Sequence, residues 1–583
     1  MEADRGWGMS QEFFDQLQQT VTPWLMHYWP SDIEVQQGAG WHFCFANLPI
    51  TPAQKNRFYS FGELTDSVEK PAHVISQGEY EEHYYPSTEQ FYGGNGQTQH
   101  PIQSIVSASS AEARGSASVI LCDSAGRLWV RCGATDNNGT AHNHLGLGPY
   151  VGHMLVDDLF SRKRKNARCA LTPVFGEDND LHGVAFINVD AVSWGSGSAD
   201  AVCSAIDSGG DIWFAGNPCN RSFATEAQFP NDSAGALPYF RKAEFYSYID
   251  ASGTVTLNDP IRFHKHAACR TFILALDIDG NVYIWGTSFL LGKSRSSTTP
   301  HKVSGFVDGV TITNQGTGYS NFFGVTVTAS NPDLADGVRA TFDATVSGNK
   351  LTAVRINNPG HGYLSAPTLT VTSNGGGGSG ATCTAELFDG TWSQIACQKR
   401  TVVGADQYAC ITTSGDLYVC GTDSLDNRPG AAGPDAALSP RKPANHDAAG
   451  YSAVGLHADG GIVLTQSGSL QSWGYGSNYP HITSTLDAQY ELTAIASANT
   501  YTAICTTRLS AAALSDDGSV FTYGDRQFSG RGYFSTSRVA FGEVPGGAVW
   551  TAIYGGEMGV ILNRHESFDQ YGNRIDPIPP GLT

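Results

Sequence analysis

One short pattern recurs along most of this chain: an apolar strand, a tight turn, and a second strand that ends in glycine. The clearest copy is Phe272-Ile-Leu-Ala-Leu-Asp-Ile-Asp-Gly280-Asn-Val-Tyr-Ile-Trp285-Gly286. Further copies close at Gly133, Gly216, Gly421, Gly474 and Gly524. A late copy runs from Gly559 to Gly572, with Arg-His-Glu566 in place of the glycine turn. A weaker first copy joins residues 41–45 to residues 57–62 through a longer loop. One such hairpin cannot bury its own apolar face, so the recurrence implies stacked, repeated units. Asp-Gly, Ser-Gly and Gly-Gly supply the positive φ of a tight hairpin, and the aromatic-Gly ending joins a packing group to a bend. Successive closing glycines leave room for a four-stranded sheet with loops. The expected fold is all-β: a β-propeller of seven or eight blades, eight if the weak first copy is a blade of its own and seven if it is a closing strand. A short N-terminal helical arm and an inserted small β domain complete it.

The hairpins resemble the repeat of the regulator of chromosome condensation family, in which an apolar strand, an Asp-Gly turn and a strand ending in Trp-Gly precede a glycine-rich loop. Residues 129–148 carry that loop, with Gly139, His144, Leu145, Gly146 and Gly148; residues 524–532 carry part of it. The resemblance implies a propeller, usually of seven blades. It does not imply a task, because such propellers serve as exchange factors, inhibitors and binding platforms.

The gap between Gly286 and Gly421 is too long for one blade and holds a different repeat. Asn314-Gln-Gly316-Thr-Gly318-Tyr319 is echoed by Asn358-Pro-Gly360-His-Gly362-Tyr363, and each precedes alternating Val/Thr strands. This segment resembles a Gly-x-Gly-Tyr repeat of tailed-bacteriophage structural proteins, which implies a virion component of the tail or its fibres. An ordinary loop elaboration is the plainer alternative. The expected organisation is an arm (1–32), a first propeller part (33–308), the insert (309–390), a second propeller part (391–575) and a tail (576–583).

Composition narrows the function classes. Abundant glycine with only 15% charged residues fits a turn-rich β protein. A formal charge of −20 opposes nucleic-acid binding, for which cationic surface supplies the affinity. The single basic run, residues 161–165, is read as a solvated loop or a clasp for an acidic neighbour. The twelve cysteines form no Cys-x-x-Cys pair, so a zinc site is not expected. Cys122 with Cys132, and Cys410 with Cys420, flank shared hairpins, but buried reduced thiols are the simpler expectation. That places synthesis in a reducing cytoplasm. There is no apolar leader or membrane-spanning stretch, so use after lysis, in a virion, fits.

Little chemistry is signalled. His142 with His144, and His264 with His266, could pair at a metal, yet no third ligand is evident. Asp277-x-Asp279-Gly280 starts like a calcium loop but lacks the closing glutamate, so it reads as a hairpin turn. Residues 177–180 form an acidic loop. No nucleophile elbow, Walker loop or zinc-protease motif occurs. We therefore expect a non-enzyme without cofactor or metal. Its partners would be other virion subunits, with homo-oligomerisation in the particle, and a host surface receptor, glycan or protein. The candidate contact residues are Phe13, Phe14, Leu17 and Trp24 of a helical arm, Tyr84, Tyr85, Phe91 and Tyr92 of an aromatic loop, and Tyr319 and Tyr363 of the insert. Two other classes compete: a regulatory propeller (an exchange factor or protein inhibitor) and a carbohydrate-processing propeller.

Overall fold

The computed structural model describes residues 55–62, 105–113, 116–124, 126–132, 172–173, 181, 183–193, 201–229, 237–288, 296–375, 377–399, 406–421, 439–443, 446–458, 460–474, 489–525, 538–544, 550–556 and 559–566. The helical arm, the aromatic loop at 84–92, the His142/His144 pair, the basic run and the acidic loop at 177–180 lie outside them. The chain is a β-propeller. Among the described residues, seven sheets follow one another, antiparallel apart from one parallel pairing of Ile249 with His301, each packed on the next, and the last meets the first.

The hairpin read from the sequence is the middle of each sheet. In the third sheet, Phe263–Ala268 lies innermost, then Phe272–Asp277, Val282–Gly286 and Ser297–Lys302. Every residue of Phe272–Asp277 and Val282–Gly286 is buried, because both faces of the sheet are covered by neighbouring sheets. That is why these strands are apolar throughout rather than alternating. Trp285 is fully buried, stacked on Phe263, and donates its indole N–H to the Phe223 carbonyl at 2.9 Å.

The turns do two jobs. Within a sheet, the turn carboxylate replaces a backbone partner: Asp277 Oδ1 accepts from Asn281 N at 2.8 Å, and Asp207 Oδ1 from Asp211 N at 2.9 Å. This is the Asx-type chemistry that suits Asp to tight turns. Asp123 and Asp207 also accept the indole N–H of Trp129 and Trp213. Between sheets, the turn glycine reaches forward. The carbonyls of Gly126, Gly210, Gly280, Gly415, Gly468 and Gly518 accept from the amides of Phe186, Phe263, Trp392, Tyr451, Tyr501 and Trp550, at 2.8–2.9 Å. Each donor is an aromatic residue at, or for Trp550 two residues before, the start of a strand of the next sheet. Gly280 shows why glycine is required: its φ is +81°, and a Cβ would lie 2.9 Å from the Thr391 side chain of the next sheet.

The sheet that ends the chain corrects one expectation. The sequence leaves residues 57–62 either as part of a first blade with residues 41–45, which lie outside the described residues, or as a closing strand, and it pairs residues 559–566 with a strand reaching Gly572. Instead, Gly559–Glu566 pairs antiparallel with Lys55–Gly62 over its whole length, and Ala552–Gly555 completes the sheet. Half of the weak first copy therefore belongs to the last hairpin. The physical reason is closure: joining an early strand to a late one in one sheet covers an edge of the late hairpin that would otherwise be open. Tyr554 Oη donates to the Ile105 carbonyl at 2.5 Å, tying this sheet to the first.

The insert leaves the third sheet after Lys302 and returns at Trp392. Its six strands are Val307–Thr317, Val325–Ala329, Thr341–Ser347, Lys350–Asn358, Leu369–Ser373 and Ser379–Leu387.

Gly280→Val is expected to destabilise the protein by about 2–4 kcal/mol, through φ strain plus a collision with the next sheet. Gly253→Ala has a similar positive φ (+101°) in open space and should cost only about 1 kcal/mol. Melting of both variants checks this; equal shifts would contradict the forward-reaching role of the turn.

Candidate binding surface

Most titratable side chains that could carry chemistry are committed to the fold. His264 is exposed and meets the Asp277 carbonyl at 2.9 Å, whereas His266 is buried against Ser204 Oγ at 2.7 Å. A bulge between Phe263 and Lys265 breaks the alternation that would have put both rings on one face. Burial pushes the His266 imidazole down to about 4, against the opposing pull of Asp190. Asp277 and Asp279 close the hairpin turn, Asp277 accepting from the Asp279 amide at 2.9 Å. Among the described residues no three His, Cys, Asp or Glu side chains come together as a metal site would require. Cys410 lies across from Tyr418, and Cys420 from Tyr408, so the two thiols are not directly opposed. Burial raises both, Cys420 to about 12.

A buried ion pair links the inner strands of several sheets. Lys399, just beyond Trp392–Cys397, is bonded to Asp190 on Phe186–Ser193. The Asp190 carboxylate also accepts from Ser109 Oγ at 2.6 Å and from the Ala268 amide at 2.7 Å. Four sheets thus converge on one carboxylate. Burial alone would raise its pKa, but the Lys399 ammonium and the Ser109 hydroxyl hold it below the ordinary carboxylate range.

The insert is built from two interlocked copies of its repeat. The middle strands Val325–Ala329 and Leu369–Ser373 pair antiparallel, with Val327 opposite Val371. The third strand of the first copy pairs with the first strand of the second, Thr341–Ser347 with Lys350–Asn358. Reciprocally, Ser379–Leu387 pairs with Val307–Thr317. The tyrosines make the same exchange. Tyr319 Oη accepts from the Ala381 amide at 3.0 Å, and Tyr363 Oη from the Ala340 amide at 2.9 Å. Asn314 and Asn358 each accept from the glycine amide two residues on, at 2.9 Å.

This placement overturns the surface role expected for Tyr319 and Tyr363. Each is 2% exposed: the tyrosine of each copy is the bolt into the other. The exposed large apolar residues of the insert are Phe322, Phe323 and Leu364.

Where the insert meets the propeller there is a cleft of about 340 Å³, lined by His301, Lys302, Asp250 and Ile249 from the third sheet and by Asp336 and His361 from the insert. Burial drives the His301 imidazole down to about 4, and its Nε2 has no hydrogen-bond partner.

No protein-family model matches the sequence, and no curated protein is found similar to it. Solved structures of similar fold include propellers of the regulator-of-chromosome-condensation type. Human WBSCR16 is 13% identical, with a TM-score of 0.46 over 88% of this chain and 98% of that one. Prp20p from Saccharomyces cerevisiae, studied for its binding to Gsp1p and histones, is 12% identical, with a TM-score of 0.44 over 91% and 93%. Yeast RCC1 (Prp20) bound to Kap60 is 12% identical, with a TM-score of 0.47 over 92% and 95%. At these identities the likeness concerns the fold alone.

Lys399→Met is expected to cost about 3–5 kcal/mol, because Asp190 would remain buried without its partner. The pH response should also change sign. With Lys399 present, the lowered Asp190 pKa contributes stability above about pH 4, the unfolded value, and that contribution is lost as pH falls towards the folded value. In the variant the buried carboxyl is raised, so acidification from neutrality towards pH 4 should stabilise it relative to wild type. Melting temperatures across pH 3–8 measure both; parallel curves would contradict the assignment.

Proposed function

We propose that this chain is a non-catalytic binding platform, made as a structural component of a tailed-phage particle. The observation that carries the reading is the insert. Its two Gly-x-Gly-Tyr copies resemble a repeat of tailed-phage structural proteins, and they form an interlocked β unit set between the third propeller sheet and the fourth. The propeller is the rigid base, and the insert is a second surface for recognition. Contacts repeated over many copies in a particle would multiply a weak single-site affinity. The commitment of His264, His266, Asp190 and Asp277 to internal bonds supports a binding role over catalysis.

A regulatory propeller is the second reading. It is favoured by the fold, since a yeast propeller of similar fold has been studied for its binding to Gsp1p and histones. The acidic charge of −20 weighs against a nucleic-acid surface on this chain.

Mass spectrometry of purified particles separates the two. The virion reading expects the chain at a constant ratio to the major capsid protein. Its absence from particles, together with faster nucleotide release from a small GTPase, would put the regulatory reading in its place.

A further inference from the structure

The two-copy insert contains its own internal control. The turn after Tyr319 reads Ser320-Asn-Phe322-Phe323-Gly324, and its counterpart after Tyr363 reads Leu364-Ser-Ala366-Pro367. Both copies fold alike around their tyrosines, so this fold does not need two phenylalanines in that turn. Yet Phe322 is 89% exposed and Phe323 is 56% exposed. Hydrogen bonds fix the backbone that carries the pair. Ser320 Oγ accepts from the Phe322 and Phe323 amides at 3.1 and 3.2 Å, and the Gly324 amide donates to the Ser320 carbonyl at 2.9 Å. The rings meet edge to face with centroids 5.1 Å apart, so Phe323 braces Phe322 and leaves a face of Phe322 open. Large exposed aromatics on a preorganised turn are a mark of recognition rather than of folding.

The geometry points to a neutral sugar as the occupant: Phe322 takes the apolar C–H face of a pyranose ring in a glycan. Three observations select this chemistry. The first is size. The two rings offer about 300 Å² of apolar surface, well short of the roughly 800 Å² per partner of a stable protein interface. The second is charge. Residues 318–324 and the facing Asn374 and Gly375 are uncharged, and the chain as a whole is at −20. The one cation beside the turn, Lys350 next to Asn349, is too little to hold an anionic membrane surface or an acidic polysaccharide. The third is hydrogen bonding. Asn321 Oδ1 accepts from the Asn349 amide at 3.2 Å, and Asn374 Oδ1 accepts from Thr326 Oγ1 at 2.9 Å. Each carboxamide is thereby oriented with its NH2 as the group left to donate, the complement of a sugar hydroxyl. A few fixed polar groups beside an apolar contact are what orient a small ligand.

This inference rests on the reading of the chain as a recognition platform, but its test does not depend on finding the chain in particles. The full-length protein is applied to an array of neutral oligosaccharides containing hexose and N-acetylhexosamine units, and the strongest binder is titrated. Wild type should bind at least one. Phe322→Ser should weaken binding at least tenfold without changing the melting temperature, Phe322→Trp should keep it, and Asn321→Ala should weaken it less. Failure to bind any neutral glycan, or equal binding by Phe322→Ser, overturns the proposal. So does a wild type that self-associates in sedimentation velocity, or floats with phosphatidylcholine vesicles, where Phe322→Ser does neither. Binding by a chain absent from particles would leave this inference standing; no sugar binding by a chain present in particles would remove it alone.

Discussion

The fold depends on a backbone hydrogen bond that each hairpin turn makes to the sheet after it. The turn glycine turns its carbonyl forward, and the aromatic residue heading the next sheet donates to it, as Phe263 does to Gly210 and Trp392 to Gly280. The bond needs a positive φ and no Cβ in the gap, so only glycine serves. The aromatic donor then packs its ring between the sheets, as Trp392 does in the buried cluster it shares with Leu276, Val282 and Ile284 of the preceding sheet. One residue pair thus sets both the hydrogen bonding and the packing between neighbours. Repetition of that pair carries the ring round to the Lys55–Gly62 strand, where an early strand meets the late strand Gly559–Glu566.

The insert obeys a different rule. Its cohesion comes from exchange between copies: strand for strand and tyrosine for tyrosine. Neither copy alone holds a complete sheet, since the partner of each outer strand lies in the other copy. Both tyrosines are consumed by this exchange, and the exposed turn between Tyr319 and Val325 is left free to carry residues chosen for something other than stability.

Much of the fold was legible in the sequence because hairpins are local. The Asp-x-x-Gly turn and the buried Trp-Gly ending sit within fifteen residues of each other in residues 272–286. The aromatic heading each sheet was legible too, though easily passed over: it stands seventeen residues ahead of Gly280, Gly468 and Gly518, at Phe263, Tyr451 and Tyr501. The candidate surface was harder to read. A tyrosine after Gly-x-Gly and a phenylalanine three residues later look equally able to be core or surface. Which one is buried depends on where the second copy sits, and no local pattern records that.

The sequence by itself determined an all-β propeller with a duplicated insert, because strand period, turn chemistry and repetition are properties of neighbouring residues. Only the tertiary structure decided three other matters. It joined residues 55–62 to residues 559–566, a pairing across most of the chain that antiparallel β structure permits but does not encode locally. It gathered Ser109, Asp190, Ala268 and Lys399 around one buried carboxylate. It buried Tyr319 and Tyr363 while leaving Phe322 in solvent. Each outcome turns on which surfaces meet after the strands have formed, and burial belongs to that meeting rather than to any residue alone.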